Sequence, residues 1–186
     1  MKSTPEQIVD EVMGLLAGPG STLSYGEGVT QLAHALQCAK CAAAVTADEE
    51  VILAALLHDI GHICDPTAEQ MAADIGIVDH EGIGAQFLLA RGFSQKIADL
   101  VRAHVAAKRY LVATNATYAA QLSPASTATL KHQGGPMSPA EVAAFESDPL
   151  FTTKLRMRSW DEMGKEPDMV TLPLTAYRKM MLRHLS

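Results

Sequence analysis

The stretch LLHDIGH, residues 56–62, closes a run that reads VILAALL from Val51 to Leu57. An apolar helix is therefore expected to deliver His58 and Asp59 at its end, with His62 one turn further on. Side chains carried by so apolar a segment belong in the interior, where an imidazole or a carboxylate is costly unless something pairs with it. A metal ion pairs with both groups at once.

Working outward, Asp48 is placed to cap this helix, with Glu49 and Glu50 in its first turn complementing the dipole, and Gly61 is expected to end it. Upstream, GVTQLAHALQCAKCAAA (28–44) is apolar nearly all round, which predicts a helix with little free surface and puts His34 inside it. Downstream, Pro66 and Gly76 mark a loop over 65–78. A helix from Asp79 to Arg91 then carries His80, and Gly92 terminates it. Ser94 caps the next helix, SQKIADLVRAHVAAKRYLV, in which His104 and Lys108, four residues apart, share a face.

The remaining segments read the same way. Ser3 or Thr4 with Pro5 starts a first helix to Leu16, stopped by the glycines around Pro19. Ser123-Pro124 starts one through Lys131, GGP breaks the chain at 134–136, and Ser138-Pro139 starts one ending near Ser147. Residues 149–163 carry Arg158, Trp160 and Asp161, and a basic amphipathic helix from Pro173 to Leu185 is expected to dock on the core. No alternating strand pattern is present, so the expectation is an all-α helical bundle forming one domain over residues 1–186, with the metal-site core in 28–163 and the C-terminal helix at 173–185.

Composition narrows the function classes. With 186 residues, 48% of them apolar, the chain can bury a sizeable core. A formal charge of -6 excludes a broad surface for nucleic-acid phosphates, so any anion must be held by a local cluster. The N-terminal stretch lacks the apolar core of a signal peptide, and no apolar run approaches a membrane span; a cytoplasmic protein is expected. Cys38 and Cys41 form CAKC without a second such pair, and Cys64 leaves the count odd, so helical packing of small residues is preferred over a zinc or redox role.

His34, His58, His80 and His104 fall on four different expected helices or helix ends, with Asp59 and Asp161 as carboxylates. Any one histidine reads as a satisfied core residue, but four would each need a separate buried partner. Imidazole and carboxylate without thiolate suit iron, manganese or zinc, and a carboxylate directly after a ligating histidine can bridge a second metal.

This pattern resembles the HD-domain superfamily, helical divalent-metal enzymes that are mostly phosphohydrolases. The stretches GEGVTQLAHALQCA, AALLHDIGH, HVAAKRYLV, QGGPM (133–137) and RSWDEMGK resemble, more closely, the HD-domain dioxygenases that cleave the carbon–phosphorus bond of 1-hydroxyphosphonates. That resemblance runs from about Glu27 to the C-terminus. It implies a mixed-valent Fe(II)/Fe(III) centre with O2 as co-substrate: His34, His58 and Asp161 on one iron, His80 and His104 on the other, and Asp59 bridging.

The resemblance also implies that Lys108, Arg158, Ser126, Thr129 and His62 surround a small-molecule phosphonate, with Gln133 as a further contact, and that Glu27 meets the cationic end of the substrate. Tyr25 would act as a lid, although it lies two residues before Glu27, in SYGE, where the family has three. Primary-amine and trimethylammonium substrates, giving glycine or glycine betaine, both remain open. A metal-dependent phosphohydrolase sharing His34, His58, Asp59 and Asp161, and a non-catalytic metal-binding module, are the competing readings.

Overall fold

Thr4, Thr30, Asp48, Ser94, Asn115, Ser123 and Ser138 each stand just before a helix and accept a hydrogen bond from a backbone N–H of its first turn. Each satisfies a donor that the helix itself cannot. In the computed structural model, which describes residues 3–24, 28–70 and 76–186, these caps begin α1 (Pro5–Ala17), α2 (Gln31–Ala43), α3 (Glu49–Leu57), α5 (Gln95–Thr114), α6 (Ala116–Gln121), α7 (Pro124–His132) and α8 (Pro139–Glu146). The helices α4 (His80–Ala90), α9 (Phe151–Met163) and α10 (Arg178–Leu185) complete the bundle. Among the described residues the one β-pairing is an isolated bridge between Gln70 and Ile77, so the all-α expectation holds. No helix among them is long and apolar enough to cross a membrane.

The longest helix, α5, packs against α3, α4 and α9, while α2 packs against α3 and α9. Every residue of α3 from Val51 to Leu57 is buried, as a segment apolar on all sides requires. The basic α10 docks on α1 and α3, burying Met181 and aligning Arg178 with Asp10 and Arg183 with Glu49.

Three local expectations are corrected. The second helix starts at Gln31 rather than Gly28, because the Thr30 hydroxyl accepts from the Ala33 amide. The third ends at Leu57 with His58 as its cap, and a 3-10 turn over Ile60–His62 follows. Gly61 is therefore not the helix stop but a contact: a Cβ there would lie 1.8 Å from the His80 carbonyl oxygen. Only glycine lets the turn that follows Asp59 meet the start of α4. Finally, the short α6 was not expected between Ser94's helix and Ser123; Asn115 starts it through a 3.0 Å bond from the Tyr118 amide.

Candidate metal centre

The two histidine pairs identified in the sequence meet in space. His34 comes from the first turn of α2, His58 caps α3, His80 opens α4, His104 lies midway along α5, and Asp161 lies on α9. All five side chains are buried. The Nε2 atoms of His34 and His58 are 3.1 Å apart, and those of His80 and His104 are 3.0 Å apart. Asp59 stands between the pairs: its Oδ1 is 3.6 Å from His58 Nε2, 3.6 Å from His80 Nε2 and 3.4 Å from His104 Nε2, while its Oδ2 is 3.7 Å from His34 Nε2. Asp161 Oδ1 is 3.5 Å from His34 Nε2.

The outward nitrogens explain the inward geometry. Nδ1 of His34 bonds the Gly164 carbonyl at 2.8 Å, His58 the Ala55 carbonyl at 2.9 Å, His80 the Ile77 carbonyl at 3.3 Å, and His104 the Val101 carbonyl at 2.7 Å. A carbonyl oxygen only accepts, so each Nδ1 carries the hydrogen, and each ring in its neutral form presents an Nε2 lone pair inward. Two lone pairs facing each other at about 3 Å repel unless a cation lies beside them, and this donor arrangement is the one that metal-binding histidines use. The residues fit a metal site. The Gly164 carbonyl is itself held in register, because the Gln37 amide makes two bonds to the Glu166 backbone, 2.8 and 3.0 Å long.

Electrostatics point the same way. Burial alone would raise the Asp59 carboxyl, but the pull of His58, His62, His80 and His104 outweighs it and holds the group ionised, well below the ordinary aspartate range. Asp161 is likewise raised by burial and lowered, more strongly, by Arg158, His34 and Lys165. Burial, reinforced by His62 at His80 and by His58 and His80 at His104, lowers these two rings to about 3, whereas at His34 burial is outweighed by Cys38 and Asp161, which raise it. Neutral imidazoles beside ionised carboxylates are the states that bind a cation.

One cavity opens on this cluster, and its wall contains His34, Asp59, His80, His104 and Asp161 together with His62, Lys108, Ser126, Thr129, Gln133 and Arg158. The Lys108 ammonium, buried one turn beyond His104, donates to Thr129 Oγ1 at 2.9 Å, and burial followed by the nearby Arg158 lowers it to about 8. Gln133 Oε1 is buried with no hydrogen-bond partner among the described residues. His62 stacks on His80 with ring centres 4.0 Å apart. Tyr25 and Glu27 lie outside the described residues.

Arg158 has partners that sequence reading missed. It donates from Nε to the Tyr118 hydroxyl at 2.7 Å, from Nη2 to Ser126 Oγ at 3.3 Å, and pairs with both Asp161 and Glu162. The i+3 and i+4 spacing to the two carboxylates was a readable signal; the approach of Tyr118, 40 residues away, was not. Lys165, also on the cavity wall, lies 3.8 Å from Asp161 Oδ1. Cys38 sits 3.8 Å from the His34 ring nitrogens and donates its thiol hydrogen to the Trp160 carbonyl. The thiol thus packs beside the cluster, close enough to join His34 and His58 in one potential ligand group.

Comparison with known proteins matches residues 32–144 to the HD domain. Over 95% of its length, and 89% of the relative, the chain is 42% identical to a [1-hydroxy-2-(trimethylamino)ethyl]phosphonate dioxygenase (glycine-betaine-forming) of Leisingera caerulea. It is also 42% identical, over 89% of its length and 82% of the relative, to a hydroxymethylphosphonate dioxygenase of Gimesia maris. An uncharacterised protein of Acanthamoeba polyphaga mimivirus is 38% identical over 97% of the chain and 83% of the relative.

Proposed function

The chain belongs to the HD-domain family, and from that premise we propose that it is a non-heme di-iron dioxygenase which oxidises a 1-hydroxyphosphonate. The substrate R–CH(OH)–PO3H2 and one O2 would give R–COOH and phosphoric acid, with the C1–H and carbon–phosphorus bonds broken and both oxygen atoms retained in the products. The observation that carries this reading is the second histidine pair. His34, His58, Asp59 and Asp161 would suffice to activate water in a hydrolase, whereas His80 and His104, both within 3.6 Å of Asp59 Oδ1, would add the ligands for a second metal. The two phosphonate dioxygenases at 42% identity support it.

In this reading His34, His58 and Asp161 would hold one iron, His80 and His104 the other, with Asp59 shared. Bound iron in the Fe(II)/Fe(III) state would supply dioxygen activation and Lewis-acid contact with substrate oxygens. The chain supplies the rest. Lys108 and Arg158 place positive charge at the phosphonate, Ser126, Thr129, Gln133 and His62 add neutral polar contacts, and the burial of Lys108, Ser126 and Arg158 strengthens their contacts. Arg158 links the two functions, because the guanidinium beside Asp161 also faces the phosphonate wall.

Glu27 would receive a cationic substituent, and Tyr25 would cover the entrance and offer an aromatic face to a quaternary ammonium. Glu27→Gln should penalise 2-amino- and 2-trimethylammonio-substituted substrates relative to hydroxymethylphosphonate.

The test is electron paramagnetic resonance of the iron-loaded protein, with and without hydroxymethylphosphonate and its 2-trimethylammonio homologue, alongside oxygen uptake and phosphate release. A mixed-valent signal perturbed by substrate, with one phosphate released per O2 consumed, is expected. A centre inert to oxygen that releases phosphate anaerobically from phosphomonoesters would overturn the proposal in favour of a hydrolase.

A further inference from the structure

Five histidines line or underlie the cavity, and one of them is wired in the opposite sense. In His34, His58, His80 and His104 the Nδ1 atom faces a backbone carbonyl. In His62 it faces a backbone donor: the Ile77 amide donates to His62 Nδ1 at 3.1 Å. An amide N–H cannot accept, so Nδ1 must be the lone-pair nitrogen, and the hydrogen of the neutral ring belongs on Nε2.

The turn that holds the ring is built around it. Gly76 has φ +120°, a conformation that side chains rarely adopt, and a Cβ there would lie 2.5 Å from His62 Cε1. Gly76 therefore lets the turn reach round the ring edge, Ile77 donates to Nδ1, and the ring face rests on His80 with an interplanar angle of 16°. The 3-10 turn carrying His62 and the segment entering α4 meet at this ring.

We propose that the turn at Gly76 and Ile77 locks His62 in the Nε2–H tautomer, so that these two residues orient the phosphonate contact already assigned to His62 as a hydrogen-bond donor. The inference rests on the proposed function for the identity of the acceptor. Gly76 and Ile77 are positioning residues, acting through His62. A donor fixed in this way favours a substrate oxygen that carries negative charge, and complements the cations Lys108 and Arg158 without adding charge beside the metal ligands.

The tautomer can be read directly from the histidine side-chain nitrogens by long-range 1H–15N correlation spectroscopy on the full-length protein labelled with 15N-histidine and loaded with diamagnetic zinc. His62 should show the Nε2–H pattern, and the four inward histidines Nδ1–H with zinc-shifted Nε2. Gly76→Ala should erase the His62 pattern while leaving the other four. In the iron-loaded enzyme it should raise KM for hydroxymethylphosphonate about tenfold, with a smaller change in kcat, as expected for loss of a hydrogen bond to a charged group.

A second pair of variants avoids dependence on the folding of Gly76→Ala. The glutamine amide nitrogen reaches the Nε2 position and that of asparagine does not, so His62→Asn should raise KM at least several-fold more than His62→Gln. An Nδ1–H or zinc-shifted His62 in the wild type, or equal effects of the two variants, would overturn the proposal. Should the wild type neither bind nor consume hydroxyphosphonates, the functional reading fails while the nitrogen shifts still decide the tautomer.

Discussion

His34, His58, His80 and His104 stand on or at the ends of helices that form the core, and all of them are buried, whereas the facing wall of the cavity stands on α7, whose one buried residue is Ser126. The neighbouring α6 buries none of its residues and α8 only Phe145. The ligand cluster thus inherits its geometry from α2, α3, α4, α5 and α9, which cannot shift without disturbing one another's packing. The α7 wall depends on caps and a few polar bonds, and can change shape at little cost to the core. One half of the site is suited to constancy and the other to variation, and the two named relatives, one for a trimethylamino and one for a hydroxymethyl phosphonate, differ in substrate.

The largest effect should come from the centre of the rigid half. Asp59→Ala removes the one carboxylate that, among the described residues, approaches both histidine pairs. It should release at least one equivalent of metal and lower turnover by more than the roughly 10–100-fold typical of an outer-shell partner. Elemental analysis with both metals retained in full would overturn the proposal that Asp59 bridges them.

Next is Gly61→Ala. With no room beside the His80 carbonyl, the added methyl must push α4 away, and overpacking of this kind costs about 1–3 kcal/mol. A fall in thermal midpoint together with weaker metal retention would show that the cluster and the core are one mechanical unit; an unchanged midpoint would break the comparison.

On the cavity side, Lys108 is lowered to about 8 from 10.5, so its charge is lost as pH rises through the lower value. Phosphonate affinity should weaken above about pH 8, while Lys108→Arg should flatten that limb of the KM profile. The stability effect has the opposite sign: between the two values the unfolded chain binds more protons than the folded one, so this residue's contribution to stability rises with pH.

The smallest expected effect is that of Thr129→Val. It removes the hydroxyl that accepts from Lys108 and donates to the Ser126 carbonyl, and should weaken phosphonate binding a few-fold. On so lightly packed a helix, stability should change by no more than about 0.5 kcal/mol. Titration calorimetry and a melting curve separate the two readouts, and a large loss of stability would show that the wall is not independent of the core.

Much of this is legible in the sequence. The capping residues Asp48, Ser94, Ser123 and Ser138, and the all-round apolar character of Val51 to Leu57, specify elements through contacts within about four residues of chain. The four histidines and two aspartates could be singled out because a buried imidazole or carboxylate demands a partner. Less was legible where a residue's reason lies elsewhere in the fold. Gly61 looked like a helix stop because its true neighbour, the His80 carbonyl, is distant in sequence. Arg158 was expected at the phosphonate, but its Tyr118 partner was not, because Tyr118 approaches it only through tertiary packing.

Caps, periodicity and residue type are short-range properties, so the sequence by itself determined the helical class, most helix boundaries and the set of chemically capable side chains. Packing of α2, α3, α4, α5 and α9 decided that nitrogens 24 residues apart in each pair, His34 with His58 and His80 with His104, face each other at about 3 Å. His58, His80 and His104 take their tautomers from carbonyls three residues earlier in their own segments, but tertiary packing supplied the Gly164 carbonyl to His34 and the Ile77 amide to His62. Those relations depend on where two separate segments lie to within a fraction of an ångström, and close packing of a whole core sets positions at that scale where local preference cannot.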